Sequence, residues 1–256
     1  MDYQTLIYEV QDDIGILTFN RPNRVNAVDH TMMDELVRFW HDRQEDYKAR
    51  VIIIRGAGEK GFCSGFDVKQ TSETGEGPAT KEALTEHIYN VQARFSSVIR
   101  AMRTCPQPVI AAVHGPCMGA GLSFAMASDV RLASEDVMFC AQYINVGFSG
   151  ADLGSSYFLW RIVGWGRAAE MCLTGSRVLA DEAYRIGLVN HLYSREALFP
   201  AALEMAKNMT SKTRIGLRLT KDAFNAGLSI GSLEDANKIE NRNQALTFLS
   251  GGTPVV

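Results

Sequence analysis

The chain has 256 residues, of which 46% are hydrophobic and 21% are charged, and its formal net charge is −3. This composition is typical of a globular protein, and the length fits one large domain or one domain with a small appendage. The small net charge gives no broad electrostatic reason to bind nucleic acid or anionic lipid. No apolar run approaches the roughly 20 residues of a membrane-spanning helix, and the acidic N-terminus lacks the apolar block of a secretory signal, so we expect a cytoplasmic protein with no nucleic-acid or membrane partner.

Cysteine and histidine do not form a metal-binding pattern. The cysteines are odd in number and scattered, and no two histidines are spaced four residues apart. The residues are Cys63, Cys105, Cys117, Cys140 and Cys172, and His30, His41, His87, His114 and His191. We expect reduced, mostly buried thiols and no metal site.

Strand and helix patterns alternate along the chain. Short β-type or buried apolar runs predict strands at 5–10, 14–19, 51–54, 108–113, 130–134, 137–142 and 188–193. Helical spacing of apolar residues predicts helices over 30–47, from the end of the polar loop 70–82 to about residue 102, from 153 onward, and over 195–249. This order predicts an α/β fold with a C-terminal helical subdomain, and we place the boundary between residues 1–194 and 195–256.

The segment GAGEKG (56–61) follows a predicted strand and formally matches the dinucleotide-binding pattern G-x-G-x-x-G. That pattern binds pyrophosphate when a helix opens within it, because the helix N-terminus supplies N–H groups. No long helical pattern starts here, so an ordinary glycine-rich turn is favoured.

Two further glycine-rich segments could contribute to a ligand-binding site. They are GFCSGFDVKQ (61–70) and HGPCMGAGLSFAMASD (114–129). Gly65 and Gly119 let the chain turn sharply and approach a ligand closely. Asp67 could cap a short helix after the first turn, and a small-residue helix follows the second. The backbone N–H groups of Phe66 and Ala120 could therefore form an oxyanion hole, although two ordinary glycine turns would look the same in the sequence.

Four segments taken together resemble the crotonase superfamily, which contains enoyl-CoA hydratases and isomerases. They are NRPNRVNAVD (20–29), GFCSGFDVK (61–69), PVIAAVHGPCMGAGLSFAMASDVRLAS (108–134) and LTGSRVLADEAYRIGLVNHLY (173–193). The match runs in the family's order from about residue 5 to about residue 225. The resemblance implies a crotonase-like spiral of ββα turns and C-terminal helices that pack on a neighbouring subunit, in homotrimers or in hexamers made of two trimers.

The resemblance also implies an acyl-CoA substrate, with coenzyme A as part of the substrate and no permanently bound cofactor. In such enzymes two backbone N–H groups hold the thioester carbonyl oxygen and stabilise an enolate. The matching positions here are Phe66 and Ala120. Because the donors are main-chain groups, the departure from the family's usual alanine and glycine is compatible with the hole.

Residues that resemble CoA-binding positions lie in the loop after the second strand and in the two glycine turns. They are Arg24, Asn26, Ala27, Gly65, Asp67, Lys69 and Gly119. Lys221, on a predicted C-terminal helix, either reaches a phosphate or is a solvated surface charge, and the second interpretation is favoured.

The chain departs from the hydratase pattern at both catalytic glutamates. By position, Ser123 and Tyr143 replace them, and neither is an acid. Serine is a poor base near neutral pH, and tyrosine has an ordinary pKa near 10. Either hydroxyl could take part in proton transfer or could simply line the pocket with a hydrogen-bond partner.

Asp152, in GFSGADLG (147–154), is the acid left at the matched pocket positions. The resemblance implies two chemical roles for it: an aspartate in this loop moves protons in the dienoyl-CoA isomerases and attacks the ring in 4-chlorobenzoyl-CoA dehalogenase. The alternative is a helix N-cap, because Asp152 directly precedes an apolar helical pattern.

The resulting interpretation is an enzyme of the enoyl-CoA hydratase/isomerase class, acting in acyl-CoA and fatty acid metabolism. Proton transfer or double-bond isomerisation by Asp152 is favoured over simple hydration, because both glutamates are replaced. The alternatives are nucleophilic attack by Asp152 on an aryl- or acyl-CoA and a non-catalytic binder of CoA thioesters.

Overall fold

The computed structural model describes residues 2–67 and 80–251, so Lys69, most of the polar loop 70–82 and the start of any helix after Asp67 lie outside the described residues. The strands are β1 (Leu6–Gln11), β2 (Ile14–Phe19), β3 (Val51–Gly56), β4 (Val109–Val113), β5 (Pro116–Met118), β6 (Val130–Ser134), β7 (Met138–Cys140), β8 (Arg177–Leu179) and β9 (His191–Tyr193). The α-helices are α1 (His30–Asp42), α2 (Lys81–Thr104), α3 (Ala120–Ala127), α4 (Ser155–Val163), α5 (Trp165–Thr174), α6 (Ala180–Arg185), α7 (Arg195–Thr210), α8 (Arg214–Gly227) and α9 (Leu233–Leu249).

The strands form two sheets. The larger has the order β1–β2–β3–β4–β6–β9, in which β1 is antiparallel to β2 and the other neighbours are parallel. The smaller has the order β5–β7–β8. The parallel pairs require crossover connections, and the helices between the strands supply them.

Successive strands step between the two sheets. β4 in the large sheet is followed by β5 in the small one and then by α3, and β6 is followed in the same way by β7. After β3 the chain makes an isolated parallel bridge between Cys63 and Cys117, which brings residue 63 beside the small sheet. This repeated step is the ββα spiral that the resemblance implies, although no fixed period is visible in the sequence.

Every predicted strand is observed within a few residues, but two strands of the small sheet, β5 and β8, were not predicted. Each has three residues, which is too short to show an alternating pattern. The predicted helix over 30–47 ends earlier, at Asp42. After the segment 56–61 no helix begins up to residue 67, so the turn interpretation fits the described backbone.

The large sheet is covered on both faces. On one face, α1, α2 and α3 contribute to an extensive apolar cluster that includes Trp40, Phe95 and Phe124. On the other face, α7 packs Leu198 and Ala202 against the sheet. The buried strands therefore carry near-continuous apolar runs, as expected for a sheet covered on both sides.

The last two helices are α8 and α9, and a buried lysine holds α8 against the rest of the fold. The Lys221 Nζ donates to the carbonyl oxygens of Met102 (3.1 Å) and Gln107 (2.8 Å) and lies 3.0 Å from a carboxylate oxygen of Asp129. Both sequence-based interpretations of Lys221 are therefore wrong, because the side chain is neither solvated nor free to reach a phosphate. The domain boundary after residue 194 stays a prediction, although it falls just before α7, a helix that covers the sheet.

Candidate active site

The two glycine turns meet in the structure. Gly65 has a φ of +100°, and a Cβ atom built there would lie 3.2 Å from the Met118 carbonyl oxygen and 3.7 Å from the Ala120 nitrogen. Gly119 has a φ of +50°, and a Cβ atom there would lie 3.6 Å from the Gly65 Cα. Both backbone conformations favour glycine, and the contact leaves little room for a side chain. The fold thus places the segments that carry Phe66 and Ala120 side by side.

The N–H groups at this junction are available to a ligand. Helix α3 begins at Ala120, and its N-cap residue, Gly119, makes no side-chain cap. Within residues 2–67 and 80–251, neither the Phe66 nor the Ala120 N–H is paired with an acceptor. A helix N-terminus carries a partial positive charge, which favours a developing negative charge on a bound oxygen. An oxyanion hole formed by the N–H groups of Phe66 and Ala120 stays a prediction.

The Asn26 side chain forms internal hydrogen bonds that hold the loop for which the resemblance implies CoA binding. Asn26 is fully buried, and its Nδ2 donates to the carbonyl oxygens of Ala57 (3.0 Å) and Gly61 (2.9 Å). Its Oδ1 accepts the Arg21 N–H at 2.9 Å, and the carbonyl oxygen of Ala27 accepts a bond from the Arg21 guanidinium. The Asn26 amide is thus committed to internal bonds, so any contact of this loop with CoA uses other atoms.

Arg21 also joins two acidic residues of the same region. Its Nη2 atom lies 3.1 Å from a carboxylate oxygen of Asp29 and 3.1 Å from one of Asp67. Asp67 is therefore a buried ion-pair partner, and this bridge ties the first glycine turn to the start of α1. Arg24, in contrast, is exposed and remains a candidate for phosphate contact, whereas Lys69 lies outside the described residues.

Ser123 and Tyr143, which are predicted to replace the two glutamates, lie in direct contact. The hydroxyl oxygens of Ser123 and Tyr143 are 2.6 Å apart, and the Tyr143 hydroxyl donates to the Gly119 carbonyl oxygen at 2.7 Å. Both residues are buried. Burial raises the pKa of Tyr143 far above the ordinary value, and the nearby charge of Asp152 raises it further. The phenol therefore stays protonated, and neither hydroxyl is placed to act as a base.

The charge of Asp152 acts on the Tyr143 phenol, and Asp152 lies on an unusual stretch of backbone. Its Oδ2 accepts a hydrogen bond from the Gln92 Nε2 at 2.9 Å, and its Oδ1 accepts the Leu153 N–H at 2.7 Å. Leu153 has a φ of +46°, which is uncommon for a residue with a side chain. Strained backbone of this kind is often found at functional sites.

The helix-cap alternative for Asp152 is wrong. Helix α4 begins at Ser155 with Gly154 at the N-cap position and no side-chain cap, whereas a capping carboxylate would accept an N–H inside the first turn. Gln92 is a site neighbour that the sequence analysis missed. It lies 60 positions from Asp152 in the chain, and no local pattern connects the two.

Comparison with known proteins decides the family. Residues 9–251 match the sequence profile described as enoyl-CoA hydratase/isomerase. The chain belongs to this family. The predicted resemblance to the crotonase superfamily is thereby confirmed.

The most similar relatives of this enoyl-CoA hydratase/isomerase family member include both activities in the family's name. A probable enoyl-CoA hydratase of Mycobacterium leprae is 39% identical over 239 residues, which cover 93% of this chain and 80% of that protein. A mitochondrial delta(3,5)-delta(2,4)-dienoyl-CoA isomerase of Homo sapiens is 30% identical over 224 residues, which cover 86% of this chain and 68% of that protein. The family membership thus covers hydratases and isomerases.

A solved structure confirms the fold class. The crystal structure of a probable enoyl-CoA hydratase/isomerase from Mycobacterium abscessus superposes with a TM-score of 0.86 at 34% identity, covering 96% of this chain and 91% of that chain. This family member is therefore an α/β protein of the crotonase fold with C-terminal helices. Among its described helices, none is both long enough and apolar enough to cross a membrane. Four of its five cysteines are buried, as predicted.

Proposed function

We propose that this protein acts on acyl-CoA thioesters and moves a proton on the acyl chain, with double-bond isomerisation favoured over hydration. The observation that carries the proposal is the combination of an open pair of backbone N–H groups, at Phe66 and Ala120, with an uncharged hydroxyl pair where hydratases have two glutamates. The first feature supports stabilisation of an enolate, and the second removes the usual means of activating water.

The proposed reaction uses main-chain donors and one carboxylate. The thioester oxygen gains negative charge as a proton leaves the acyl chain, and preorganised N–H groups stabilise that charge without reorganising. Asp152 accepts the proton and returns it at another carbon, which shifts the double bond. Its contact with Gln92 and with the Leu153 N–H fixes the position of the carboxylate. Ser123 and Tyr143 remain neutral throughout.

The first test is proton exchange. Saturated and unsaturated acyl-CoAs are incubated with the protein in D₂O, and deuterium incorporation is followed by NMR for wild type, Asp152→Asn and Asp34→Asn. We expect exchange in wild type and in the Asp34 control, and a fall of about 10²- to 10⁴-fold in Asp152→Asn, since that is the usual contribution of a general acid–base group. The labelled carbon identifies the reaction.

Other outcomes would contradict the assignment in distinct ways. Equal exchange in wild type and Asp152→Asn would remove Asp152 from the proton transfer. No exchange with CoA thioester still bound would favour a binder or a nucleophile, and a covalent aspartyl ester detected by mass spectrometry would identify the nucleophile. Hydration of crotonyl-CoA at rates typical of two-glutamate hydratases would overturn the preference for isomerisation.

The CoA contacts, the trimer or hexamer and the cytoplasmic location belong to the same proposal and stay predictions. Among the CoA candidates that the structure describes, Arg24 alone is exposed, and its carbonyl oxygen accepts the Ser64 hydroxyl at 3.3 Å, next to the first glycine turn.

A further inference from the structure

A chain of hydrogen bonds ends on the peptide that carries one of the two proposed donors. The Ser123 and Tyr143 hydroxyl oxygens are 2.6 Å apart, and the Tyr143 oxygen is 2.7 Å from the Gly119 carbonyl oxygen. The same carbonyl oxygen accepts the Ser123 backbone N–H at 3.1 Å. Gly119 therefore has both carbonyl lone pairs occupied, one by the first turn of α3 and one by a phenol.

The direction of the chain follows from the chemistry of the groups. A carbonyl oxygen can only accept, so the single phenolic proton of Tyr143 points at Gly119. The Ser123 hydroxyl must then donate to the Tyr143 oxygen. The protons run in one direction, from Ser123 through Tyr143 to the Gly119 carbonyl group.

The Gly119 carbonyl group and the Ala120 N–H belong to one peptide unit. Hydrogen bonding to a peptide oxygen increases the double-bond character of the C–N bond and the positive charge on the N–H, and bonds in such chains strengthen one another. The effect is largest where water is excluded, and Ser123 is fully buried while Tyr143 is 7% exposed.

We propose that Tyr143 is a positioning residue that polarises and orients the Gly119–Ala120 peptide, so that the Ala120 N–H becomes a stronger donor to the thioester oxygen, with Ser123 holding the phenol in place. This inference rests on the proposed function, since it needs a carbonyl oxygen in the hole. It assigns the two replaced glutamate positions a new role, in which they act on the oxyanion hole and not on water.

The surrounding contacts fix the phenol in this role. A Cβ atom built on Gly119 would lie 3.5 Å from the Tyr143 Cε1, so the ring packs directly against the peptide that it polarises. The phenol keeps its proton because burial raises its pKa, so the donor to Gly119 is always present.

The test measures the polarisation directly. Butyryl-CoA labelled with ¹³C at the thioester carbonyl is bound to the protein, and isotope-edited infrared spectroscopy gives its carbonyl stretching frequency. In wild type we expect a lower frequency than in free butyryl-CoA. In Tyr143→Phe the frequency should rise part of the way back to that of free butyryl-CoA. In Ser123→Ala it should rise by a smaller amount. In the matched control Tyr8→Phe, on edge strand β1, it should equal that of wild type. The exchange rate of Tyr143→Phe should fall about 3- to 10-fold, less than the 10²- to 10³-fold that follows loss of a direct donor.

Incorporation of 3-fluorotyrosine at position 143 keeps the ring and makes the hydroxyl a stronger donor, so the frequency should fall below that of wild type. If Tyr143→Phe does not fold, the fluorotyrosine protein still tests whether the phenol polarises the Gly119–Ala120 peptide. An unchanged frequency in fluorotyrosine protein, or in folded Tyr143→Phe, would overturn the inference and leave the proposed function intact. No decrease in wild type itself would instead overturn the oxyanion hole.

Discussion

The donors proposed for a carbonyl oxygen are main-chain N–H groups, so side-chain identity should matter less at Phe66 and Ala120 than at the glycines beside them. Phe66 and Ala120 differ from the residues usual in the family without removing a donor. Gly65 and Gly119 have positive φ angles and lie against each other's segments, and a Cβ atom at Gly65 would lie 3.2 Å from the Met118 carbonyl oxygen, which is closer than an ordinary contact.

Gly65→Ala tests this point at one residue. The new Cβ would contact the Met118 carbonyl oxygen in a left-handed backbone conformation, so we expect a loss of about 2 kcal/mol in the free energy of unfolding and a large loss of exchange activity. Chemical denaturation and the D₂O assay measure the two effects. Gly164→Ala is the control, because Gly164 has a φ of +80° and nothing within 4 Å of a built Cβ. If both variants lost activity equally, the close approach at Gly65 would have no special role.

At the scale of elements, hydrogen bonds and ion pairs hold α8 against the rest of the fold. Lys221 bonds to Met102 in the last turn of α2 and to Gln107 in the loop before β4, and it pairs with Asp129, which also lies 2.9 Å from Arg103 on α2. Arg103 in turn hydrogen-bonds the Asn225 side chain on α8. The group joins α2, α8 and the residue before β6.

Lys221→Met separates this structural role from the phosphate role that the sequence suggested. Removing the buried cation leaves Asp129 with one fewer partner, so we expect a loss of about 3–5 kcal/mol in the free energy of unfolding. CoA affinity of the folded protein should be unchanged. Lys238→Met, on α9, is the control and should have little effect, because its ion pairs are exposed. Weaker CoA binding at unchanged stability would restore the phosphate role.

At the scale of the whole molecule, exposed aromatic residues lie where α4 ends and α5 begins. Trp165 is 75% exposed, and its ring centroid lies 6.4 Å from that of Trp160. The Arg161 guanidinium lies over Trp160 and over Tyr157, 4.2 Å and 4.1 Å from the ring centroids. Aromatic residues with arginine are typical of protein interfaces, so these residues are candidates for a subunit contact, and the homotrimer or hexamer itself stays a prediction.

Light scattering of wild type and Trp165→Arg tests the assembly. We expect the mass of a trimer or hexamer for wild type and a smaller species for the variant, since a charge would be buried in the interface. Tyr47→Arg, an exposed aromatic position in the loop after α1, should leave the mass unchanged. A monomeric wild type, or equal masses for wild type and Trp165→Arg, would contradict this role of Trp165.

The sequence by itself determined those features that depend on neighbours in the chain. The buried strands of the large sheet follow from apolar runs such as VIII (51–54), and the proposed donor positions follow from glycine turns next to predicted strands. The replacement of both glutamates by Ser123 and Tyr143 is likewise a prediction from the sequence, through its resemblance to the family.

Only the tertiary structure decided which distant side chains meet. It brought the Ser123 and Tyr143 hydroxyls together beside the Gly119 carbonyl group, placed Gln92 on Asp152, buried Lys221 and turned the Asn26 amide inward. These contacts connect positions far apart in the chain or depend on backbone direction at a single residue. Periodicity and composition report which face of an element is buried, but a hydrogen bond needs two atoms within about 3 Å, and that distance is fixed only by the packing of the complete fold.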